Sequence, residues 1–225
     1  MMHIHPGIHI DAEGVRFSVV SHHADALWLC LFDEAGSRET KRIEMSRSPG
    51  GQFSVHVKGL NPGQKYGYRA DGPWEPHLGH RFDISKLLVD PYAPIIDRPF
   101  QWHPDLAAKG VDSRAFVPKS ILTKPDHKNY HHAEPAPRGG LVYEVPVKAF
   151  SKLNPDIPDA IRGTLAALAH PASIAHFRKL GVAAVELMPV HAWIDERHLA
   201  PLGLSNAWGY NPVSLMALDP RLAPN

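Results

Sequence analysis

Two apolar, strand-like runs enclose a helical stretch in the last third of the chain, and few folds accommodate that order. Leu141-Val142-Tyr143-Glu144-Val145-Pro146-Val147 reads as one strand and Val182-Ala183-Ala184-Val185-Glu186-Leu187-Met188-Pro189-Val190 as a second, buried one. Between them, Ile174, Phe177 and Leu180 recur at helical spacing, with Leu165 and Leu168 upstream. Pro171 suits the first turn, where its missing N–H costs least, and Gly181 stops the helix. Strand, helix, strand predicts a βαβ unit whose strands lie parallel. Beyond the second strand comes Trp208-Gly209-Tyr210-Asn211-Pro212. An aromatic loop beyond the C-terminal end of a parallel strand stands where an α/β barrel carries its active site.

The first ninety-odd residues obey a different period. Val15-Arg16-Phe17-Ser18-Val19-Val20 and Phe53-Ser54-Val55-His56-Val57 alternate apolar with polar, as half-buried strands do. Ala26-Leu27-Trp28-Leu29-Cys30-Leu31-Phe32 is more continuously apolar and ends in a hairpin-like turn at Asp33-Glu34-Ala35-Gly36. Tyr66-Gly67-Tyr68-Arg69-Ala70 gives a further strand. Short strands at this spacing predict an immunoglobulin-like β-sandwich of about 90 residues. The 22 prolines concentrate between the two regular regions. The expected organisation is a sandwich over residues 1–95, a Pro-rich connector over 96–139, and a βαβ-containing segment over 140–225. The fold class is therefore multi-domain, β plus α/β.

Composition removes several function classes. A net charge of +1, with no Lys/Arg block, offers no electrostatic footprint for nucleic acid or anionic membrane. No apolar run approaches the roughly 20 residues that span a bilayer. A single cysteine, Cys30, precludes an internal disulfide, and no secretory leader is legible, so the expected location is cytoplasmic. Cys30 lies in a strand with no base nearby in sequence, so it is not expected to be a nucleophile. The 16 histidines include His3, His5 and His9, and the pairs His22-His23 and His131-His132. None has metal-ligand spacing, so no metal or cofactor is expected.

Three separated motif groups resemble the isoamylase-type glycogen debranching enzymes of the α-amylase superfamily, glycoside hydrolase family 13. Lys65-Tyr66-Gly67-Tyr68-Arg69, Asp71-Gly72-Pro73-Trp74, Gly79-His80-Arg81-Phe82-Asp83 and Lys86-Leu87-Leu88-Val89-Asp90-Pro91-Tyr92-Ala93 are similar to a family-48 carbohydrate-binding module joining its barrel. Tyr143-Glu144, Ile161-Arg162-Gly163-Thr164 and Glu186-Leu187-Met188-Pro189-Val190 resemble the opening strands of a TIM (β/α)8 barrel. Gly203-Leu204-Ser205-Asn206, followed by Trp208 to Pro212, resembles a loop that forms a sugar subsite. Pro146 departs from the family, which usually has His there, and a proline is tolerated only at a strand end or bulge.

The resemblance implies hydrolysis of α-1,6 branch linkages in glycogen or limit dextrin, with α-glucan as partner. Retaining hydrolysis uses two carboxylates about 5–5.5 Å apart, which the family takes from later barrel strands. A whole barrel needs about 250 residues. The chain is expected to reach only the edge of a third strand, near residues 213–218, and so to hold no catalytic residue. The expectation is then a natural truncation, a gene fragment, or half of a split enzyme whose remaining barrel lies on another polypeptide. Glu144 and Glu186 are expected to be structural. Tyr210 is expected to stack on a sugar, or else to fill a loop–barrel junction. Asn211 either hydrogen-bonds sugar or holds the turn, and Trp208 is expected to pack beneath the loop. Trp28 and Trp74 are candidate glucan contacts, Trp28 more simply read as packing and Trp74 as a module–barrel contact. The alternatives are a non-catalytic glucan-binding or scaffolding protein and the remnant of a branching transferase, which typically carries Gln where Asn211-Pro212 stands.

Overall fold

The computed structural model describes residues 5–124 and 139–224. His3, His131 and His132 lie outside the described residues. In chain order the strands of the first region are β1 (Gly7–Ile10), β2 (Val15–Val20), β3 (Ala26–Phe32), β4 (Glu39–Glu44), β5 (Ser46–Ser48), β6 (Gln52–Val57), β7 (Lys65–Asp71), the short pair β8 (Trp74–Glu75) and β9 (His80–Arg81), and β10 (Ser120–Ile121). They form two four-stranded antiparallel sheets, ordered β1-β2-β6-β5 and β10-β7-β3-β4. The edge strand β10 comes from the segment expected to be connector, pairing Ser120 with Tyr66 and Ile121 with Lys65.

The alternation of β2 turns Val15, Phe17 and Val19 inward against Leu27, Leu29 and Leu31 of β3 and Tyr66, Tyr68 and Ala70 of β7. Phe17 meets Tyr66 edge-on at 5.0 Å between ring centroids. Burial of each such side chain stabilises the sandwich by about 1.5–3 kcal/mol. The unbroken apolarity of β3 has its own cause. Cys30 and Phe32, on the opposite face, pack with Leu87, Ile96, Phe100, Val117, Ala192 and Ala217. The outer face of this sheet is therefore covered too, by the connector and by the C-terminal region. Residues 87–88, leading into the connector, come so close that a Cβ on Gly67 would lie 2.9 Å from both the Leu87 side chain and the Leu88 carbonyl.

The second region contains β11 (Leu141–Val145), α1 (Val147–Ser151), α2 (Leu165–Leu168), α3 (Pro171–Leu180), β12 (Val182–Leu187), β13 (His191–Trp193) and β14 (Pro212–Leu218). β11 and β12 pair in parallel, with Glu144 opposite Glu186 and Val145 opposite Leu187. α3 forms the crossover. His170 caps its start by accepting from the Ala172 N–H at 3.3 Å, and Pro171 occupies the first turn. Gly181 ends the helix at φ +67, a left-handed conformation that glycine adopts without steric cost. The helix docks through Phe177, whose ring lies 5.2 Å from Phe150 of α1 and 6.0 Å from Tyr143 of β11.

Two expectations need correcting here. The first strand stops at Val145, and Pro146 opens α1, its carbonyl accepting from the Phe150 N–H at 3.0 Å. At that position the missing donor takes nothing from the sheet. Residues 213–218, expected to edge a third parallel strand, belong to β14, which pairs antiparallel with β13. Residues 194–211 make a loop with a 3-10 turn at Ala200–Leu202 and no helix, and parallel pairing would need a crossover there.

Candidate functional site

β13 and β14 hold the two ends of the aromatic loop together, with Trp193 opposite Pro212 and the Ile194 N–H donating to the Asn211 carbonyl at 3.2 Å. Asn206 sets the shape of the loop between them. Its side-chain oxygen accepts from the N–H groups of Trp208 (2.9 Å) and Gly209 (2.8 Å). Its amide donates to Glu196 Oε1 (3.0 Å) and to the Tyr210 carbonyl (3.2 Å). An asparagine that folds the following backbone over its own side chain is an Asx turn. Gly209 completes it at φ +78, where a Cβ would stand 2.7 Å from the Pro189 carbonyl oxygen.

This geometry presents two aromatic rings to solvent. Tyr210 is 56% exposed and Trp208 68% exposed. Trp208, expected beneath the loop, lies on its surface, its N–H tied to the Asn206 side chain immediately before the tight turn at Gly209. The Asn211 amide donates to the Ile194 carbonyl at 3.0 Å, so that half of the side chain holds the turn and its oxygen remains for a ligand.

Beneath the loop lies a polar foundation that sequence inspection missed. Asp219 is fully buried and accepts from the N–H groups of Trp193 (3.2 Å) and Arg221 (2.9 Å) and from the Arg221 guanidinium at 2.8 and 2.9 Å. That guanidinium stacks 3.9 Å from the Trp193 ring. The Trp193 indole N–H is buried with no partner among the described residues. A cavity of about 480 Å³ adjoins it, lined by Pro146, Val147, Met188, Trp193, Asn206 and Trp208 among others.

The other expected site residues are dispersed. Trp28 stands on the outer side of the β3 sheet, opposite Glu44 and Arg69, and is half-buried. Trp74 is half-buried on β8, with the Lys109 ammonium 4.6 Å over its ring. A cleft of about 830 Å³ brings Trp74 together with Asn211, and its lining includes Trp102. Glu144 and Glu186 face each other in register on exposed positions of the parallel pair. Cys30 is buried, and burial with the neighbouring Glu39 charge pushes its thiol up to about 12, so it stays protonated. Among the described residues no three His, Cys, Asp or Glu side chains converge as metal ligands. No helix among them is long and apolar enough to cross a membrane.

Two exposed aromatic rings thus stand on a glycine-tightened loop beside a β-sandwich. Residues 6–93 match carbohydrate-binding module 48, the isoamylase N-terminal domain. Over 225 residues the chain is 43% identical to the glycogen debranching enzyme of Cronobacter sakazakii, and similarly 42% identical to that of Yersinia enterocolitica. Nearly the whole chain is therefore similar to about a third of a glycogen debranching enzyme, and residues 6–93 to the N-terminal domain of isoamylases. The Cronobacter alignment covers 97% of this chain and 34% of the relative, so the chain spans about a third of the length of the curated relatives it matches. The fold also matches the catalytic module of the glycogen-degrading pneumococcal virulence factor SpuA, at TM-score 0.71 and 18% identity over 98% of this chain and 33% of that one. Type I pullulanase of Bacillus subtilis, solved with maltose, matches at TM-score 0.65 and 20% identity over 100% of this chain and 29% of that one.

Proposed function

We propose that this chain forms the module and one substrate-facing wall of an α-1,6-glucosidase that removes branches from glycogen or limit dextrin. The observation that carries the reading is the loop held by Asn206 and Gly209, which offers the exposed Tyr210 ring as a platform for a sugar face. The parallel pair β11–β12 with its crossover helix is read as the opening βαβ of a (β/α)8 barrel, and an aromatic loop following β12 suits such a barrel's active face. Kinship with debranching enzymes supports α-glucan as the partner.

In this reading the chain alone does not hydrolyse. Glu144 and Glu186 are opposed in register at exposed positions of neighbouring strands, open to water rather than gathered in a closed cleft. The family takes its catalytic carboxylates from later barrel strands, and on this reading none of them is assigned to the described residues. A branched dextrin incubated with the chain is expected to release no reducing ends. Turnover abolished by Glu144→Gln or Glu186→Gln would overturn this. Maltoheptaose binding is expected to weaken about three- to tenfold at the loop in Tyr210→Ala, and unchanged loop affinity would remove the platform role. A non-catalytic glucan-binding protein is the second reading, favoured by the module match at residues 6–93.

A further inference from the structure

We infer that the cleft between the sandwich and the β13–β14 loop is a second α-glucan site, lined by residues other than Tyr210 and Trp208. Its volume of about 830 Å³ falls within the range of small-molecule sites. Trp74 and Arg81 line it from the β8–β9 hairpin, and Trp102 from the connector. Asp195, Glu196, Arg197 and Asn211 line it from the loop. A smaller cavity of about 200 Å³ adjoins it across the shared side chains of Trp102, Leu106, Ala107 and Arg197.

The chemistry of the lining selects the ligand. The exposed guanidinium groups of Arg81 and Arg197 make no hydrogen bond or ion pair among the described residues. Glu196 uses Oε1 to hold Asn206 at 3.0 Å, and Asp195 uses Oδ1 to accept the Asn206 N–H at 2.8 Å. Asp195 Oδ1 also lies 3.6 Å from the Arg221 guanidinium. Among the described residues no hydrogen bond uses the second oxygen of either carboxylate or the side-chain oxygen of Asn211, whose amide donates to the Ile194 carbonyl at 3.0 Å. Free donors and free acceptors therefore line the cleft with the Trp102 indole and with the Trp74 indole, over one face of which the Lys109 ammonium stands at 4.6 Å. The lining interleaves Arg81, Lys86 and Arg197 with Asp195 and Glu196, and a neutral polyhydroxyl chain uses such donors and acceptors together with indole surface. Lys86, the other cation lining the cleft, is committed to the carbonyls of Asp105 (2.7 Å) and Val111 (2.6 Å) and stiffens the connector wall.

The inference rests on the α-glucan reading proposed above, and the experiment separates the two. The chain's five tryptophans allow indole ¹⁵N–¹H resonances to be followed in the full chain during titration with maltoheptaose. In Tyr210→Ala, the Trp74 and Trp102 resonances are expected to shift together with one affinity. Arg197→Gln, an exposed substitution that leaves the fold intact, is expected to weaken that affinity about tenfold, while Trp102→Ala abolishes the Trp74 shift. Shifts confined to Trp193 and Trp208 in the unsubstituted chain would overturn the cleft and leave the glucan reading standing. No shift at any indole would overturn both. Shifts at Trp74 and Trp102 with inorganic phosphate but not with maltoheptaose would show an anion site and overturn the inference.

Discussion

Lys119 shows how much a single buried side chain shapes this protein's response to pH. It is fully buried, with its amine donating to the carbonyls of Arg114 and Val117 at 2.7 Å each and lying 5.1 Å from the Phe32 ring. Burial, then the neighbouring Arg98 charge, lowers its pKa from 10.5 to about 8, against the opposing pull of Asp97. Folding thus favours the neutral amine. Between pH 8 and 10.5 the unfolded chain binds the extra proton, so this residue's contribution to stability grows as pH rises. It is complete above 10.5 and lost as pH falls through about 8. The urea midpoint is expected to climb between pH 7.5 and 9.5, and Lys119→Met is expected to flatten that climb whatever it does to absolute stability. Parallel profiles for the two proteins would contradict the assignment. Nearby, Asp90 accepts from the Tyr66 hydroxyl at 2.7 Å and the Tyr68 hydroxyl at 3.4 Å, and burial raises its pKa while those bonds lower it.

At the scale of elements, one arginine ties the sandwich to the connector. Arg69 of β7 is 1% exposed and pairs with Glu39 of β4 at 3.0 Å and with Asp112 of the connector at 3.0 Å. It also donates to the carbonyls of Ile84 (3.2 Å) and Ser85 (2.6 Å). Removing one partner of such a buried network leaves the others uncompensated, and the expected cost of Arg69→Ala is about 3–5 kcal/mol. Urea unfolding measures it, and limited proteolysis is expected to cut first within residues 84–112. A loss below about 1 kcal/mol would show the network to be solvent-screened. The strands themselves were legible: the alternation in residues 15–20 and 53–57 and the run at 26–32 correspond to β2, β6 and β3. β4 and β5 were not. Their sequences, Glu-Thr-Lys-Arg-Ile-Glu and Ser-Arg-Ser, carry little apolar patterning, because each packs its side chains largely toward solvent.

For the whole molecule, the second region leaves much apolar surface in water. Val142, Leu153, Leu187, Leu215 and Met216 are exposed, and among the described residues β11 and β12 pair only with each other. Open edges and apolar faces of parallel strands invite association. The scattering mass is expected to rise above that of a monomer as concentration increases. Val142→Lys combined with Leu215→Glu is expected to return it toward the monomer. A monodisperse monomer with no dependence on concentration would argue that the exposed face is tolerated as it stands.

The sequence by itself determined the local outcomes. Period-2 alternation marked strands, Pro171 and Gly181 bounded a helix, and Trp208 to Pro212 marked the loop that carries the candidate site, because each of these depends on neighbours a few residues away. Tertiary structure alone decided the rest. It gave the outer face of β3 a cover drawn from residues 87–117 and 192–217, and it turned Pro212–Leu218 back against His191–Trp193. It raised Trp208 to the surface and set Trp74, Trp102 and Arg197 around one cleft. Those juxtapositions join residues up to a hundred or more positions apart, and their energy comes from packing and desolvation between surfaces that no local pattern records.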